Sequence, residues 1–364
     1  MTGRMSWRRA TSASACLLAA ALLAAGCGGD SDTSTSTAAT APGKPAPSKS
    51  AFPQTEGRTL QELVKDQDSH AELVVSPAAL TFDKGENRYP FGVFEPDRSQ
   101  IDDAEVALYV AKVPPPKGGN GGVGKNGKQK KGALARAREE GLEQPAVGPY
   151  PATIESLATQ PAYRAQTTTS DPDAATVVYS ADVDFPSDGE WRIAALVKQD
   201  DEIVATLLPS AEVGRFEGVP KVGEKAPKIH TPTLADVGGD PSKVTTRLPP
   251  DTQNRVDYAD ALGKDPILLL FATPQFCQSR VCGPVVDVAE QVKDQYGDEA
   301  AFIHMEIFND NDPGKDVRPQ VRAFRLPTEP WLFAIDRQGI VRAEVEGAFG
   351  VDLMTKAVKE VAGG

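Results

Sequence analysis

The strongest constraint on the fold is an unbroken apolar run that ends shortly before a pair of cysteines. Residues 266–271 read Pro-Ile-Leu-Leu-Leu-Phe, the composition of a strand buried on both faces of a helix-covered sheet. Cys277 and Cys282 follow, and then apolar residues recur at helical spacing up to Gly297. Because proline suits the first helical position, we expect the helix to begin at Pro284. The cysteine pair is therefore predicted to lie in a loop between a buried strand and a helix.

The rest of the C-terminal part continues this alternation. Apolar segments of strand length are interleaved with segments whose apolar residues recur at helical spacing. Together they predict an α/β fold with the order strand, helix, strand, helix, strand, strand, helix. The later predicted strands are 302–307, 331–335 and 340–345, and the later helices lie near 317–324 and 353–361.

The stretch 271–284 resembles the redox site of thioredoxin-like proteins, in which a buried strand ends in a Phe-x-x-Pro-type segment, reaches a cysteine pair and enters a helix. The segment 222–227, with its Gly-x-x-Ala-Pro pattern, resembles the opening of redoxin domains. The resemblance implies a thioredoxin-like fold over 221–364 and a redox-active Cys277–Cys282 disulfide, with no cofactor and no metal. Pro330 falls where such domains carry a cis proline that packs against the redox cysteines.

The chain departs from that family in ways that bear on chemistry. The pair is spaced Cys-x4-Cys instead of Cys-x-x-Cys, and the strand 267–270 lacks the buried acid that assists proton transfer in thioredoxins. Glu329 is an alternative acid, although we expect it to be a solvated loop residue. The start of a helix stabilises a thiolate, which favours Cys282 as the more acidic thiol. The order of the cysteines in thioredoxins favours Cys277 as the nucleophile, so both assignments stay open.

The N-terminus has the pattern of an export signal. Arginines precede a short apolar run, and Leu-Ala-Ala-Gly-Cys at its end resembles the bacterial lipobox. This predicts a signal peptide over 1–26, lipidation of Cys27 and a location on the extracytoplasmic side of the cell membrane. An ordinary signal with an incidental cysteine is the alternative, and Arg8-Arg9 leaves twin-arginine export open. The Ser-, Thr-, Ala- and Pro-rich stretch 27–57 is predicted to be a flexible tether.

The middle of the chain has the alternating pattern of half-buried strands. Residues 179–185 alternate apolar and polar side chains, and after a Pro-Ser-Asp-Gly turn the apolar residues Trp191, Ile193, Ala195 and Val197 continue at every second position. We therefore predict a small all-β sandwich over 70–213 that resembles immunoglobulin-like modules. The Gly- and Lys-rich stretch 114–144 is predicted to be a disordered insertion in it.

Charge and cysteine content narrow the function. A net charge of −12 argues against a nucleic-acid partner, because phosphate binding requires a basic surface. The leading hypothesis is a membrane-anchored thiol–disulfide oxidoreductase that exchanges with exported thiols or disulfides and with a membrane or exported electron donor or acceptor. A scaffolding or binding lipoprotein with a structural disulfide is the competing class. Peroxiredoxin-like chemistry and copper delivery, the latter needing one of His70, His230 and His304, are further alternatives.

Overall fold

A computed structural model describes residues 43–67, 72–116, 127–170, 174–199, 202–277 and 280–363. The predicted signal peptide and Cys27 lie outside these residues. Thr40–Gly364 groups into one unit by its contacts. Among the described residues, none of the helices combines the length and apolarity needed to cross a membrane.

The first half of the described chain is built on a seven-stranded antiparallel sheet with the order β1-β2-β5-β4-β3-β6-β7. All seven strands send side chains into one core, so the sheet curves around it. Its aromatic residues include Tyr89, Phe91, Tyr179 and Trp191. The β-rich prediction is confirmed, while the immunoglobulin-like relationship stays a prediction. The strands are β1 (Val74–Pro77), β2 (Gly85–Phe94), β3 (Glu105–Lys112), β4 (Val147–Ser156), β5 (Val177–Phe185), β6 (Gly189–Gln199) and β7 (Glu202–Val213).

Two segments predicted to be irregular are ordered. The stretch 127–142 of the predicted insertion is a helix, α2 (Gly127–Leu142), because residues 133–140 are all Ala, Leu, Arg or Glu, which favour helices. Residues 117–126 lie outside the described part. The predicted tether is ordered from residue 43 onward, since Lys44 pairs with Ile154 and Phe52 is buried beside helix α1 (Leu60–Lys65). Predicting disorder there was wrong because a single buried aromatic side chain and strand pairing anchor this segment.

The second half contains a four-stranded sheet with the order β11-β10-β8-β9. Strands β8 and β9 are parallel, and the other two pairs are antiparallel. The predicted order of elements in this half is confirmed. The strands are β8 (Ile267–Phe271), β9 (Ala301–Met305), β10 (Trp331–Ile335) and β11 (Val341–Glu346), and the helices of this half are α4 (Tyr258–Ala261), α5 (Cys282–Tyr296), α6 (Pro319–Ala323) and α7 (Val351–Ala362). The short helix α3 (Gln166–Thr169) lies in the first half, between β4 and β5.

Burial on both faces explains the unbroken apolar composition of β8. Leu268 and Leu270 point into a core shared with α5 and α7. Ile267, Leu269 and Phe271 point into a second core on the opposite face, which includes residues of α4 and α6. Every residue of β8 is therefore buried, as expected for a central strand covered on both sides.

The helix after the cysteine pair begins two residues before the predicted start. Its first residue is Cys282, so Pro284 occupies the third position and not the first. The first four N–H groups of a helix have no partner within it, so a proline at the third position removes no helical hydrogen bond. Cys277 remains in the loop that precedes the helix, as predicted.

The two halves share buried surface. Leu157, Ala175 and Val178 from the first half lie in the same core cluster as α5 and α7. Polar contacts reinforce this packing: the Glu346 carboxylate at the end of β11 accepts hydrogen bonds from the backbone N–H groups of Leu80 and Thr81 at 2.9 and 2.8 Å. The first half is thus a direct support for the helix that carries Cys282.

Candidate active site

The two cysteines form a disulfide whose sulfurs differ in exposure. Cys277 and Cys282 are bonded across a Cα–Cα distance of 5.9 Å, within the usual range for a disulfide. Cys282 is 0% exposed, whereas Cys277 is only partly buried. A reagent from solvent therefore meets Cys277 first.

The sheet register brings Glu329 and Pro330 beside the disulfide. Trp331, the first residue of β10, pairs with Phe271, the last residue of β8. The two residues before Trp331 consequently lie next to the segment that leads from β8 to Cys277. The Glu329–Pro330 peptide bond is cis, the geometry that the resemblance implies for Pro330.

Glu329 contacts the buried Cys282. The expectation that it would be a solvated loop residue was wrong. Its Oε2 lies 3.7 Å from the Cys282 sulfur and accepts a hydrogen bond from the Thr273 N–H at 3.0 Å. Burial raises the pKa of Glu329 to about 8, and the nearby Glu306 carboxyl adds to this rise against the opposing effects of Thr273 and His304. The side chain is therefore mostly protonated at neutral pH, next to the sulfur that leaves when the disulfide opens.

A buried polar cluster lies beneath this carboxyl. Glu306 is fully buried and accepts a hydrogen bond from the Thr246 N–H at 2.6 Å, and burial raises its pKa. His304 Nδ1 lies 2.9 Å from Asp251 Oδ2, and Nε2 lies 3.0 Å from the Ala272 carbonyl oxygen. Burial opposes the charged ring, but the Asp251 carboxylate outweighs it and raises the pKa of His304 to about 9. This shift favours the protonated ring, in which Nδ1 donates to Asp251 and Nε2 donates to the Ala272 carbonyl oxygen.

These contacts also bear on metal chemistry. Among the described residues, ligand-type atoms of Cys277, Cys282 and Glu329 form a group within 4.8 Å of one another. In the disulfide, however, neither sulfur is a thiolate, the form that binds metal. Both nitrogens of His304 are engaged by Asp251 and Ala272, so this histidine is not oriented as a third ligand for copper.

A buried ion pair fixes the cysteine-bearing helix to the first half. Asp287 on α5 accepts hydrogen bonds from Arg247 Nε at 2.9 Å and from the Ala165 N–H at 3.0 Å. Arg247 also donates to the carbonyl oxygens of Tyr163 and Pro249. The side chains of Arg247 and Asp287 are only 6% and 2% exposed, so these contacts are shielded from water.

The structure brings some predicted site residues together and separates others. Cys277, Cys282 and Pro330 converge, with Glu329 between the last two. His230 lies apart at the surface beside Asp257, and Cys27 and His70 are outside the described residues. The sequence analysis missed Thr273, Glu306, Asp251, Arg247 and Asp287. The polar residues in the predicted strand 302–307 were the signal that could have revealed part of this cluster.

Comparison with protein-family models gives no match, and comparison with curated proteins gives no significant match. Among solved structures, the chain is similar to a protein from Chlorobium tepidum described as a thiol:disulfide interchange protein DsbE, at 17% identity and a TM-score of 0.28. It is also similar to a thiol:disulfide interchange protein of the thioredoxin family from Chlorobium tepidum TLS, at 16% identity and a TM-score of 0.28. Each match covers 39% of this chain and 99% or 98% of the other. Likenesses this distant do not establish a shared function.

Proposed function

We propose that this protein is a thiol–disulfide oxidoreductase in which the Cys277–Cys282 disulfide exchanges with thiols of partner polypeptides. The observation that carries the proposal is the asymmetry of the pair. One sulfur is accessible, and the other is buried beside a carboxyl group whose pKa is raised to about 8. A disulfide that only staples a loop has no need of a proton-carrying group in contact with its buried sulfur.

The chemistry begins with attack by a partner thiolate on the Cys277 sulfur. A new S–S bond forms between the partner and Cys277 while the Cys277–Cys282 bond breaks, and Cys282 takes the electron pair. As this bond breaks, Glu329 gives its proton to the departing Cys282 sulfur. A second partner thiol attacks the mixed disulfide and releases reduced Cys277, so the partner is oxidised and this protein is reduced by two electrons.

The reverse direction uses the same groups. The Glu329 carboxylate accepts the proton of the Cys282 thiol, and the resulting thiolate attacks the mixed disulfide at Cys277. The first turn of the 15-residue helix α5 also favours a thiolate at its first residue, Cys282. In this assignment Cys277 exchanges with partners and Cys282 resolves, because the buried sulfur is out of their reach.

The reduction potential of the pair tests this function. Structural disulfides commonly have potentials below about −300 mV, whereas exchanging pairs lie higher. We expect equilibration in dithiothreitol or glutathione buffers to give a value above that limit. A lower value, together with no exchange on incubation with thiols, would instead support a scaffolding lipoprotein with a structural disulfide.

The location of this activity is a further part of the proposal. The signal pattern 1–26 and the lipobox-like sequence at Cys27 support lipid anchoring on the extracytoplasmic side of the membrane. Disulfides form and persist in such oxidising compartments. The partners are then exported polypeptides, and a membrane or exported redox protein restores the pair.

A further inference from the structure

The Glu346 carboxylate joins the first half of the chain to the segment that carries Glu329. Its two oxygens accept hydrogen bonds from the backbone N–H groups of Leu80 and Thr81, in the loop between β1 and β2, at 2.9 and 2.8 Å. The Thr328 hydroxyl donates to Oε1 of the same carboxylate. Glu346 is only 9% exposed, and hydrogen bonds to a shielded charged acceptor are the stronger ones. Glu346 therefore connects the first half to the residue that precedes Glu329.

Contacts on both sides of Glu329 reinforce this connection. Before it, the Thr328 hydroxyl oxygen also accepts a hydrogen bond from the Trp331 Nε1–H at 3.0 Å. After it, the Pro330 carbonyl oxygen accepts a hydrogen bond from the Gly347 N–H at 2.9 Å. The residues that flank Glu329 are therefore both tied to the end of β11.

The first half fixes this end of β11 by further contacts. Arg88 of β2 donates to the carbonyl oxygens of Glu346 and Ala348 at 3.3 and 2.6 Å. Gly347 lies between them at a φ of +82°, and a Cβ there would stand 2.4 Å from the Ala78 carbonyl oxygen. Glycine allows so close an approach of two backbone segments in this conformation. The first half thus packs directly against the backbone of residues 346–348.

We propose that the first half of the chain, through Glu346 and Thr328, positions the Glu329 carboxyl against the reactive disulfide. The inference rests on the proposed function and adds two positioning residues that act through Glu329. A proton donor is effective only within hydrogen-bond reach of the reacting atom. The distance of 3.7 Å between Glu329 Oε2 and the Cys282 sulfur leaves little room for displacement. A shift of residues 328–330 would therefore separate the donor from its sulfur.

The charged groups that face Glu329 lie outside this linkage. His304 in β9 and Glu306 directly after that strand act on its carboxyl, and the Cys282 sulfur faces it from α5. A substitution of Thr328 changes none of these groups and removes no charge. A change in the pH profile of disulfide opening in such a variant consequently reports displacement of Glu329.

The test measures disulfide opening by dithiothreitol on full-length protein. Thr328→Val removes the hydroxyl and Thr328→Ser keeps it, while Glu346→Gln weakens the same contact from its other end and serves where Thr328→Val does not fold. Thr328→Val and Glu346→Gln are also combined with Glu329→Gln, which cannot transfer a proton at this position. Thr233→Val is the matched control, because the half-buried Thr233 also donates its hydroxyl to a carboxylate, that of Asp236 at 2.7 Å.

We expect Thr328→Val to lower the opening rate at about pH 7, divided by the concentration of attacking thiolate, by about fivefold, as the loss of one hydrogen bond allows. The inflection near pH 8 should move towards the ordinary value of 4.5, because a displaced Glu329 carboxyl regains water. Glu346→Gln should act in the same direction. Thr328→Ser and Thr233→Val should behave as the unsubstituted protein, and Thr328→Val should have no further effect in the Glu329→Gln protein.

Two results would overturn the inference and leave the proposed function intact. One is an unchanged rate and inflection in Thr328→Val and Glu346→Gln, or an equal loss of rate when they are combined with Glu329→Gln. The other is an unsubstituted protein whose disulfide opens without an inflection near pH 8, since Glu329 then carries no proton. A disulfide that does not exchange with dithiothreitol and has a potential below about −300 mV would overturn the proposed function and this inference with it.

Discussion

Replacing Glu329 with glutamine tests the proposed proton transfer most directly. Glutamine keeps the shape of the side chain and an oxygen that can accept the hydrogen bond from the Thr273 N–H, but it cannot give up or take a proton. A pKa of about 8 leaves roughly nine in ten Glu329 carboxyls protonated at pH 7. General acids of this kind contribute about 10²- to 10⁴-fold to a rate, and the 3.7 Å separation from the Cys282 sulfur places our expectation near the lower limit.

The pH dependence of disulfide opening shows in which direction the rate should change. The rate at which the disulfide opens, divided by the concentration of attacking thiolate, should fall as the pH rises through about 8, because Glu329 then loses the proton that it donates. In Glu329→Gln the normalised rate should be lower at pH 7 and show no inflection near pH 8. Stopped-flow measurement of disulfide opening by dithiothreitol between about pH 6 and about pH 9 brackets this pKa and supplies the profile.

Stability provides an independent check on the same group. The folded-state pKa of Glu329 lies above the ordinary value of 4.5, so the folded protein retains a proton that the unfolded chain releases. The stabilisation is fully present below pH 4.5 and is lost as the pH rises through about 8, by up to about 1.4 kcal/mol per pH unit. Glu329→Gln should therefore gain in free energy of unfolding, relative to the unsubstituted protein, over this window.

The exposed Glu299→Gln is the matched control and should alter neither the rates nor the stability profile. One outcome would contradict this prediction: the disulfide of Glu329→Gln opens at the same rate as that of the unsubstituted protein, with an inflection near pH 8 in its rate profile. In that case Glu329 does not carry the proton and the mechanism is wrong at this step.

Four further predictions concern the partner-facing cysteine, the support of α5, the anchor and the division of the chain. Cys282→Ser leaves Cys277 as a free thiol, which should attack an added peptide disulfide, release one of its two peptides as a thiol and accumulate as a stable mixed disulfide visible by mass spectrometry; its absence would contradict the assignment of Cys277 as the exchanging residue. Arg247→Ala should lower the free energy of unfolding in urea by about 3–5 kcal/mol because it leaves Asp287 buried without its partner, whereas exposed Arg215→Ala should lower it by less than about 1 kcal/mol. Cys27→Ala should release the protein from membranes or leave it unprocessed, and normal processing with unchanged membrane retention would argue against the anchor. Mild proteolysis within 214–221 should yield fragments that still co-elute in gel filtration, since both halves contribute to one buried cluster, and separation of the fragments would show that this packing is weak.

Local patterns of the sequence were sufficient to predict the strands around the disulfide. The apolar run 266–271 is a strand buried on both faces, the predicted strand 331–335 is β10, and the bond before Pro330 is cis. These predictions succeeded because burial of a central strand and the order of neighbouring elements are recorded in consecutive residues. The start of α5 was misplaced by two residues because the first N–H groups of a helix tolerate a proline at several positions.

Two segments of the first half show where local composition gives the wrong prediction. Residues 43–57 and 127–142 are polar and rich in small side chains, which predicted disorder, yet one buried Phe52 and a run of helix-forming residues order them. The first segment is ordered by tertiary contacts and the second by its own helix-forming residues. Phe52 is buried only because α1, β3 and β6 supply the other side of its cluster.

The sequence by itself determined the order of strands and helices from residue 267 onward, the position of the cysteine pair between a buried strand and a helix, which begins at the second cysteine in the structure, and the features that predict export. Only the tertiary structure decided which sulfur is accessible, that Glu329 contacts the other one, and that the first half packs against the helix that carries Cys282. The physical reason is that exposure and pKa depend on groups brought together from distant parts of the chain. Glu329 lies 47 residues from Cys282, and Asp251 lies 53 from His304. Periodicity and composition describe neighbours along the chain and contain no information on such pairs.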